Sequence, residues 1–289
     1  MSEKIAALMD AMTAEAIAAI ESGIANPSGW IAPWHNVAAG AVNAVTHRTY
    51  TGGNFLWLTL MGGGPWATFN QWKSVGATVR KGEKGTLILV PVPVKFKKAD
   101  SDGNEKDVKF TRFRTAYVFA AGQVDGWEAP EVPATVGPRY ADADSVIEAW
   151  SRIVPIEDGA NRAYYVPALD RISVPPFSHF KSSEGYYGTI LHEIGHSTGH
   201  ASRLNRKAGG AFGDADYARE ELVAEFTAAF LGAHFGIVTN VVDHGHADYL
   251  ANWLKALKGD PSLLWDAASD AQKAVRMILA TVESDSDGE

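Results

Sequence analysis

The chain has 289 residues, enough for two cores, and its 46% hydrophobic and 21% charged content is that of an ordinary folded protein. It contains no cysteine, which excludes disulfides and thiolate ligands and leaves His, Asp and Glu as donors for any metal. The net charge of -8 is unevenly spread: residues 1–128 carry 13 Lys/Arg against 11 Asp/Glu, and residues 129–289 carry 13 against 23.

The N-terminal stretch has acids inside it and no apolar run ending in small residues, so it does not read as a signal peptide. No stretch approaches the roughly 20 apolar residues that span a bilayer, so a cytoplasmic protein without a membrane partner is expected. Residues 3–22 read as an amphipathic helix, with Ile5, Leu8, Met9, Met12, Ala16, Ala19 and Ile20 at helical spacing and Ser22-Gly23 as its stop. A Pro- and Gly-rich loop follows, carrying Trp30 and Trp34. "YTGGNFLWLTLMG" is a short apolar element broken by Gly62-Gly63-Gly64-Pro65, and "WATFNQWKSVG" is a short helix before a glycine. "TVRKGEKGTLILVPVPVKF" is a basic turn entering a strand. "SDGNEKD" is a hairpin loop, and "VKFTRFRTAYVFA" is the return strand, alternating Val, Phe, Thr and Tyr with Lys and Arg.

"EAPEVPATVGPRY" has three prolines and no periodicity, so a linker is placed at 129–139, between domains at 1–128 and 140–282. Beyond it, "ADSVIEAWSRIV" is a helix and "AYYVPALDRISVPP" a hairpin turning at Pro167-Ala168, with "DRISVPP" read as an edge strand. Four helices follow: "SEGYYGTILHEIGHSTG", "YAREELVAEFTAAFLGAHFG", "HADYLANWLKALKGD" and "PSLLWDAASDAQKAVRMILATV". The acidic end, 283–289, is expected to be a disordered tail. The fold class is α+β in two domains, the second mainly helical with a small sheet.

His192-Glu193-x-x-His196 carries the chemistry. On a helix, positions four apart project side by side, so two imidazoles can hold one cation with Glu193 one step round. The cation lowers the pKa of water towards about 7 and the glutamate accepts the proton as general base. A third protein ligand is needed. His200 lies about 12 Å along the axis from His192 at 1.5 Å per residue, and the position ten after the first histidine is Ser202. His200 is therefore assigned a supporting or helix-capping role. "EELVAE" is the better source, with Glu221 preferred as ligand and Glu225, four residues on, as hydrogen-bond partner to a ligand imidazole. Glu220 has Asp216 and Ala224 four residues to either side and is expected to face solvent. The ion is expected to be zinc, with manganese or another divalent cation as alternatives. His246 and Tyr249 are candidates to stabilise an oxyanion, against the plainer alternative of a helix face packed around Trp253.

"YAREELVAEFTAAFL", "HEIGHSTGHASRLNR" and "HADYLANWLKALKGD…AASDAQKA" together resemble the zincin-like metallopeptidase domain of the ArdC antirestriction family. "GW…PW" at Trp30 and Trp34, "VNAVTHRTYTGGN" at 42–54, "TFNQWKSVGATVRKGEKGT" at 68–86 and "VFAAGQVDG" at 118–126 resemble its N-terminal domain. The resemblance implies single-stranded DNA binding by the first domain and an antirestriction role on a plasmid or phage. The residues are compatible with this. Arg80, Lys81 and Lys84 cluster on a glycine-rich turn, and Lys95, Lys97 and Lys98 end one strand. Arg112 and Arg114 alternate along the next, and Arg48 and the aromatics Trp30, Trp34, Tyr50 and Trp72 lie in or near loops. For any one tryptophan the alternative is the core. Two rivals stand beside this reading: a DNA-coating protein with a purely structural metal domain, and a DNA-independent cytosolic metallopeptidase whose basic hairpin contacts its protein substrate.

Overall fold

The structure, a computed structural model, describes residues 3–25, 41–99, 105–128, 140–158, 162–180, 182–206, 214–238 and 246–286, and leaves aside the side chains of 95–99, 105–110, 246–250, Asn252 and 283–286. The chain divides into two compact units that interleave in sequence. Unit 1 is Met1–Leu8, Asn43–His47 and Pro65–Ala129; unit 2 is Met9–Val42, Arg48–Gly64 and Pro130–Glu289. The expected cut near residue 129 coincides with one switch between units, whereas residues 9–42 and 48–64 cluster with the C-terminal half. The linker at 129–139 lies outside the described residues.

A sheet of order β1-β2-β5-β4 comprises β1 (Ala41–Asn43), β2 (Gly64–Ala67), β4 (Thr86–Ala99) and β5 (Glu105–Ala120); unit 1 holds β4, β5, β2 from Pro65 and Asn43 of β1. The expected hairpin is β4–β5, paired antiparallel from Thr86↔Val118 to Ala99↔Glu105. Pro91 and Pro93 are two apart in β4, so their missing N–H groups share one edge, and β4 is the sheet's edge strand, where proline is tolerated and blocks further pairing. Between the strands, α3 (Phe69–Ser74) starts at a Thr68–Gln71 capping box, in which each side chain serves the other's backbone. Gly76 follows at φ 81°, a conformation open to glycine. A two-strand ribbon of β3 (Thr78–Val79) and β6 (Val124–Asp125) closes the unit around Ala67, Trp72, Ala77 and Val124.

Unit 2 is helical. α1 (Glu3–Ala25), assigned to it from Met9 onwards, buries Met12, Ala16 and Ile20 at intervals of four. It runs two residues past the expected stop, because Gly23 continues the helix at a cost of only about 1 kcal/mol. The element around "NFLWLTL" is a helix, α2 (Gly52–Leu60), ended by three consecutive positive-φ glycines, Gly62, Gly63 and Gly64. The remaining helices are α4 (Ala141–Ser151), α5 (Ser183–Ser197), α6 (Ala215–Phe235), α7 (His246–Gly259) and α8 (Leu263–Ser286). α8 extends four residues into the segment expected to be a disordered tail. α6 is buried on every residue from Glu221 to Gly232, which makes it the central helix; Gly236 ends it in the left-handed conformation. Phe55 of α2 meets Phe230 of α6 edge to face at 4.7 Å.

A small sheet of β7 (Ile156–Asp158), β8 (Tyr164–Val166) and β9 (Arg171–Val174) has the order β7-β9-β8. The strand "DRISVPP" is therefore central, not an edge. β7 carries one apolar residue in "IED", too little for a sequence pattern, yet it pairs parallel to β9 and covers its second side. No helix among the described residues is long and apolar enough to cross a membrane.

Gly53 packs against Trp265 of α8, where an added Cβ would come within 2.3–2.6 Å of three indole carbons. Gly53→Ala should lower unfolding stability by about 1–3 kcal/mol in a urea titration, and Gly53→Ala/Trp265→Leu should regain much of it.

Candidate functional site

Ser182 caps the N-terminus of α5 by accepting a hydrogen bond from the Gly185 N–H. From Gly185 to Gly195 the helix is buried, and it packs against α6. The approach is closest at Gly195, where a Cβ would lie 3.1 Å from Ala224 Cα and 3.1 Å from Thr227 Cβ. Glycine here lets two helix backbones come close enough for short side chains to meet.

His192, His196 and Glu221 meet there. The two Nε2 atoms are 3.0 Å apart. His192 Nε2 is 3.5 Å from Glu221 Oε2, and His196 Nε2 is 3.6 Å from Oε1. A tetrahedral ion with bonds of about 2.0–2.1 Å separates its ligand atoms by about 3.3 Å, and these three edges bracket that value. The opposite nitrogens face carboxylates as well. His192 Nδ1 is 3.8 Å from Glu225, and His196 Nδ1 is 3.5 Å from Glu220. Both imidazoles thus turn Nε2 inward and Nδ1 towards α6, the orientation that carboxylates impose on metal-ligating histidines.

The electrostatics ask for positive charge. Glu193, Glu221 and Glu225 are all buried beside the two imidazoles. Burial by itself lowers the pKa of His196, but the charge of Glu221 and hydrogen bonds to Glu220 and Glu221 raise it well above the ordinary value. His192 is raised in the same way, burial being outweighed chiefly by Glu221. Burial pushes the Glu221 carboxyl up, and the two imidazoles bring it strongly down. Carboxylates buried together need compensation, and a divalent cation between two imidazoles and a carboxylate supplies it.

Glu220, expected in solvent, is turned inward instead. Arg206 holds it with two hydrogen bonds of 2.9 and 2.7 Å, and also donates to Thr198 Oγ1 at 2.7 Å and to the Gly195 carbonyl at 2.9 Å. The helical neighbours of Glu220 do not reveal this, because its partners come from the loop after α5. Gly199 leaves room for the guanidinium, and a Cβ there would sit 3.0 Å from it. Arg203 secures the same turn, donating to the Ser197 carbonyl at 2.8 Å and to both oxygens of Asp170, whose carboxyl it holds below the ordinary range. His200 belongs to this neighbourhood, 2.8 Å from Ser202 Oγ and 3.8 Å from Asp170, and is not part of the metal cluster. The two arginines of "SRLNR" went without a role in the sequence reading; arginine just beyond a helix C-terminus, where carbonyls are exposed, was the available signal.

Of the expected DNA-contacting residues, Lys81, Lys84, Arg112, Arg114 and Arg48 are exposed and Tyr50 is half-buried. Trp72 has no face open to a base. It is 0% exposed, and its indole donates to the Phe119 carbonyl at 3.0 Å. Arg80 is tied down by Glu83, Asp125 and the Gly122 carbonyl, so it braces the turn that carries Lys81 and Lys84. Trp30 and Trp34 lie outside the described residues, as do the side chains of Lys95, Lys97, Lys98, His246 and Tyr249.

Two histidines four apart on a buried helix, a buried glutamate between them and a third carboxylate donor from the next helix form a zincin-like arrangement. Residues 141–270 match the family model for a zincin-like metallopeptidase, and residues 6–119 match that for the N-terminal domain of anti-restriction factor ArdC. The chain belongs to the ArdC antirestriction family. The metal-free crystal structure of antirestriction ArdC from plasmid R388 superposes with a TM-score of 0.70 at 32% identity, covering 96% of this chain and 98% of that one. Its Mn(II)-bound form gives 0.71 at 31% identity, covering 95% and 97%. An uncharacterised protein, y4eC, of Sinorhizobium fredii (strain NBRC 101917 / NGR234) is 33% identical over 92% of this chain and 89% of its own length. A DNA primase TraC of Escherichia coli is 36% identical over 90% of this chain, which spans 26% of that protein.

Removing the clamp on His196 should loosen metal binding without emptying the site. Arg206→Met is expected to weaken divalent-metal affinity by about 10–100-fold in competition with a chromophoric chelator. His200→Ala should bind as the parent does, and Glu221→Ala should lose stoichiometric metal.

Proposed function

We propose that this protein counters restriction by coating single-stranded DNA through unit 1, and that unit 2 is a metal-dependent peptidase centre acting on a protein substrate. The observation that carries the second part is the His192–His196–Glu221 triangle beside a buried Glu193. His192, His196 and Glu221 would hold the cation, which supplies Lewis acidity and lowers the pKa of water. Zinc suits the donor set; Mn(II), which the R388 relative binds, is the competing occupant. Glu193 takes a proton from water and returns it to the amide nitrogen as that bond breaks. Glu220, 3.5 Å from His196 Nδ1, would favour the tautomer that leaves the His196 Nε2 lone pair for a cation, and the charge of Glu225 lies 3.8 Å from His192 Nδ1. His246 and Tyr249, at the start of α7, are the proposed oxyanion donors.

The DNA-binding part rests on charge and family. Residues 65–128 carry 11 Lys/Arg against 7 Asp/Glu, in a chain whose net charge is -8. Lys81 and Lys84 stand exposed on a braced turn. The match to part of a protein named as a DNA primase, and membership of the ArdC family, fit work on transferred DNA. The acidic unit 2 is suited to a protein substrate. A host restriction component is the class of substrate in the competing version, in which proteolysis itself gives protection.

Protection of a conjugating plasmid in a restricting host separates the two. Glu193→Gln should keep its metal, lose peptide hydrolysis and still protect, whereas Lys81→Ala/Lys84→Ala should lose protection and keep its metal. Loss of protection in Glu193→Gln with DNA affinity intact would favour proteolysis instead.

A further inference from the structure

Unit 1 exposes aromatic rings that its own core does not use. Phe113 and Tyr117 on β5 are 45% and 55% exposed, and Phe69 at the start of α3 is 53% exposed. Side chains alternate along a strand, so Phe113, Tyr117 and Phe119 share one face of β5. Phe119 meets Phe69 edge to face with centroids 6.5 Å apart. Gly85 lies opposite: a Cβ there would be 3.0 Å from both the Phe119 ring and Tyr117 Cβ, so its absence leaves room for the Phe119 ring. Phe69, Tyr117 and Phe113 thus line up as a strip of exposed rings on this side, with Phe119, partly buried against the core, joining Phe69 to the strand. Arg112 and Arg114 alternate with these rings and fall on the opposite face, across from Val92 and Val90.

Lys84 directly precedes Gly85, at the head of the strip, with Lys81 on the same turn. The turn is rigid, because Gln123 donates to Glu83 and to the Lys84 carbonyl, each at 3.0 Å, while Arg80 is spent on Glu83 and Asp125. Among the described residues, Lys81 and Lys84 have no acidic partner, so their charge is available. Exposed aromatics beside unpaired cations on a fixed backbone are what unpaired bases and their phosphates require.

We propose that this strip is the surface on which the bases of single-stranded DNA stack, with Lys81 and Lys84 contacting phosphate at one end. The proposal rests on the single-strand-binding reading and names its residues. Spacing supports an unpaired strand. Phe113 and Tyr117 are four strand residues apart, about 13 Å at roughly 3.3 Å each, whereas bases in a duplex strand rise about 3.4 Å. Each ring can take a base only from a strand free to extend. Trp72, buried beneath Phe119, supports the strip from inside.

The test is fluorescence anisotropy of the full chain with a fluorescein-labelled oligothymidine across a salt series. Phe113→Ala/Tyr117→Ala should weaken binding by about 25-fold or more, taking about 5-fold as the low end for each stacked ring, with an unchanged salt slope because no charge is removed. Phe113→Trp/Tyr117→Trp should bind at least as tightly as the parent, which a merely structural role for these rings does not predict. Lys81→Ala/Lys84→Ala should reduce the slope by up to about 1.4, at roughly 0.7 per phosphate contact. Arg112→Ala/Arg114→Ala should cost less affinity than the ring pair. A parent that binds oligothymidine while the alanine ring variant binds equally well overturns the strip and leaves the single-strand reading standing. A parent that binds no oligothymidine, or binds a duplex equally well, overturns the reading and the strip with it.

Discussion

The close approach of α5 to α6 at Gly195 is the constraint on which the candidate metal centre depends. Histidine and glutamate side chains are short, so three donor atoms can surround one ion only if their backbones nearly touch. Glycine at 195, against Ala224 and Thr227, allows that approach. The same approach buries both helices and takes Glu193, Glu221 and Glu225 out of water. That is costly unless positive charge is supplied, so the packing that makes the site also creates its demand for a cation.

The segment after α5 converts this packing into orientation. Residues 198–206 fold back so that Arg206 reaches the Gly195 carbonyl, Thr198 and Glu220, while Arg203 reaches the Ser197 carbonyl and Asp170. Two guanidiniums thereby satisfy carbonyls at a helix C-terminus, where cations are favoured by the helix dipole. Arg206 is also the anchor of a relay. It fixes Glu220, Glu220 faces His196 Nδ1, and the imidazole turns Nε2 towards His192 and Glu221. Arg203 does a different job, tying the β8–β9 turn to the same helix end through Asp170 and Tyr165.

The two units differ in charge and in what they expose. Unit 2 surrounds its acidic groups with packed helices, and even α2, early in the chain, lends Phe55 to that core. Unit 1 is smaller and spends its aromatic residues differently. Trp72 is buried at its centre, while Phe69, Phe113 and Tyr117 remain on its surface. Its hairpin is protected from edge pairing by Pro91 and Pro93, so an exposed strand can carry apolar rings with less risk of self-association.

Local chemistry was legible in the sequence and long-range partnership was not. The pair at 192 and 196 could be read because helical periodicity alone places both residues on one face, and Glu221 followed from the need for a third donor on a carboxylate-bearing helix. The hairpin was legible from alternation, and the helix α3 from the glycine that stops it. The sequence left Glu220 in solvent because its partner, Arg206, comes from a loop with no periodicity. It took Trp72 as a possible surface residue because composition does not say which aromatic faces inward. It read β9 as an edge because β7 has too few apolar residues to announce itself. It divided the chain at a proline-rich stretch, whereas α2 clusters with a helix near the C-terminus through contacts more than 200 residues apart, such as Gly52 with Gln272. Sequence patterns record what a residue does to its neighbours along one element; which element lies opposite is decided by burying all the apolar faces at once, and that balance exists only in the folded chain.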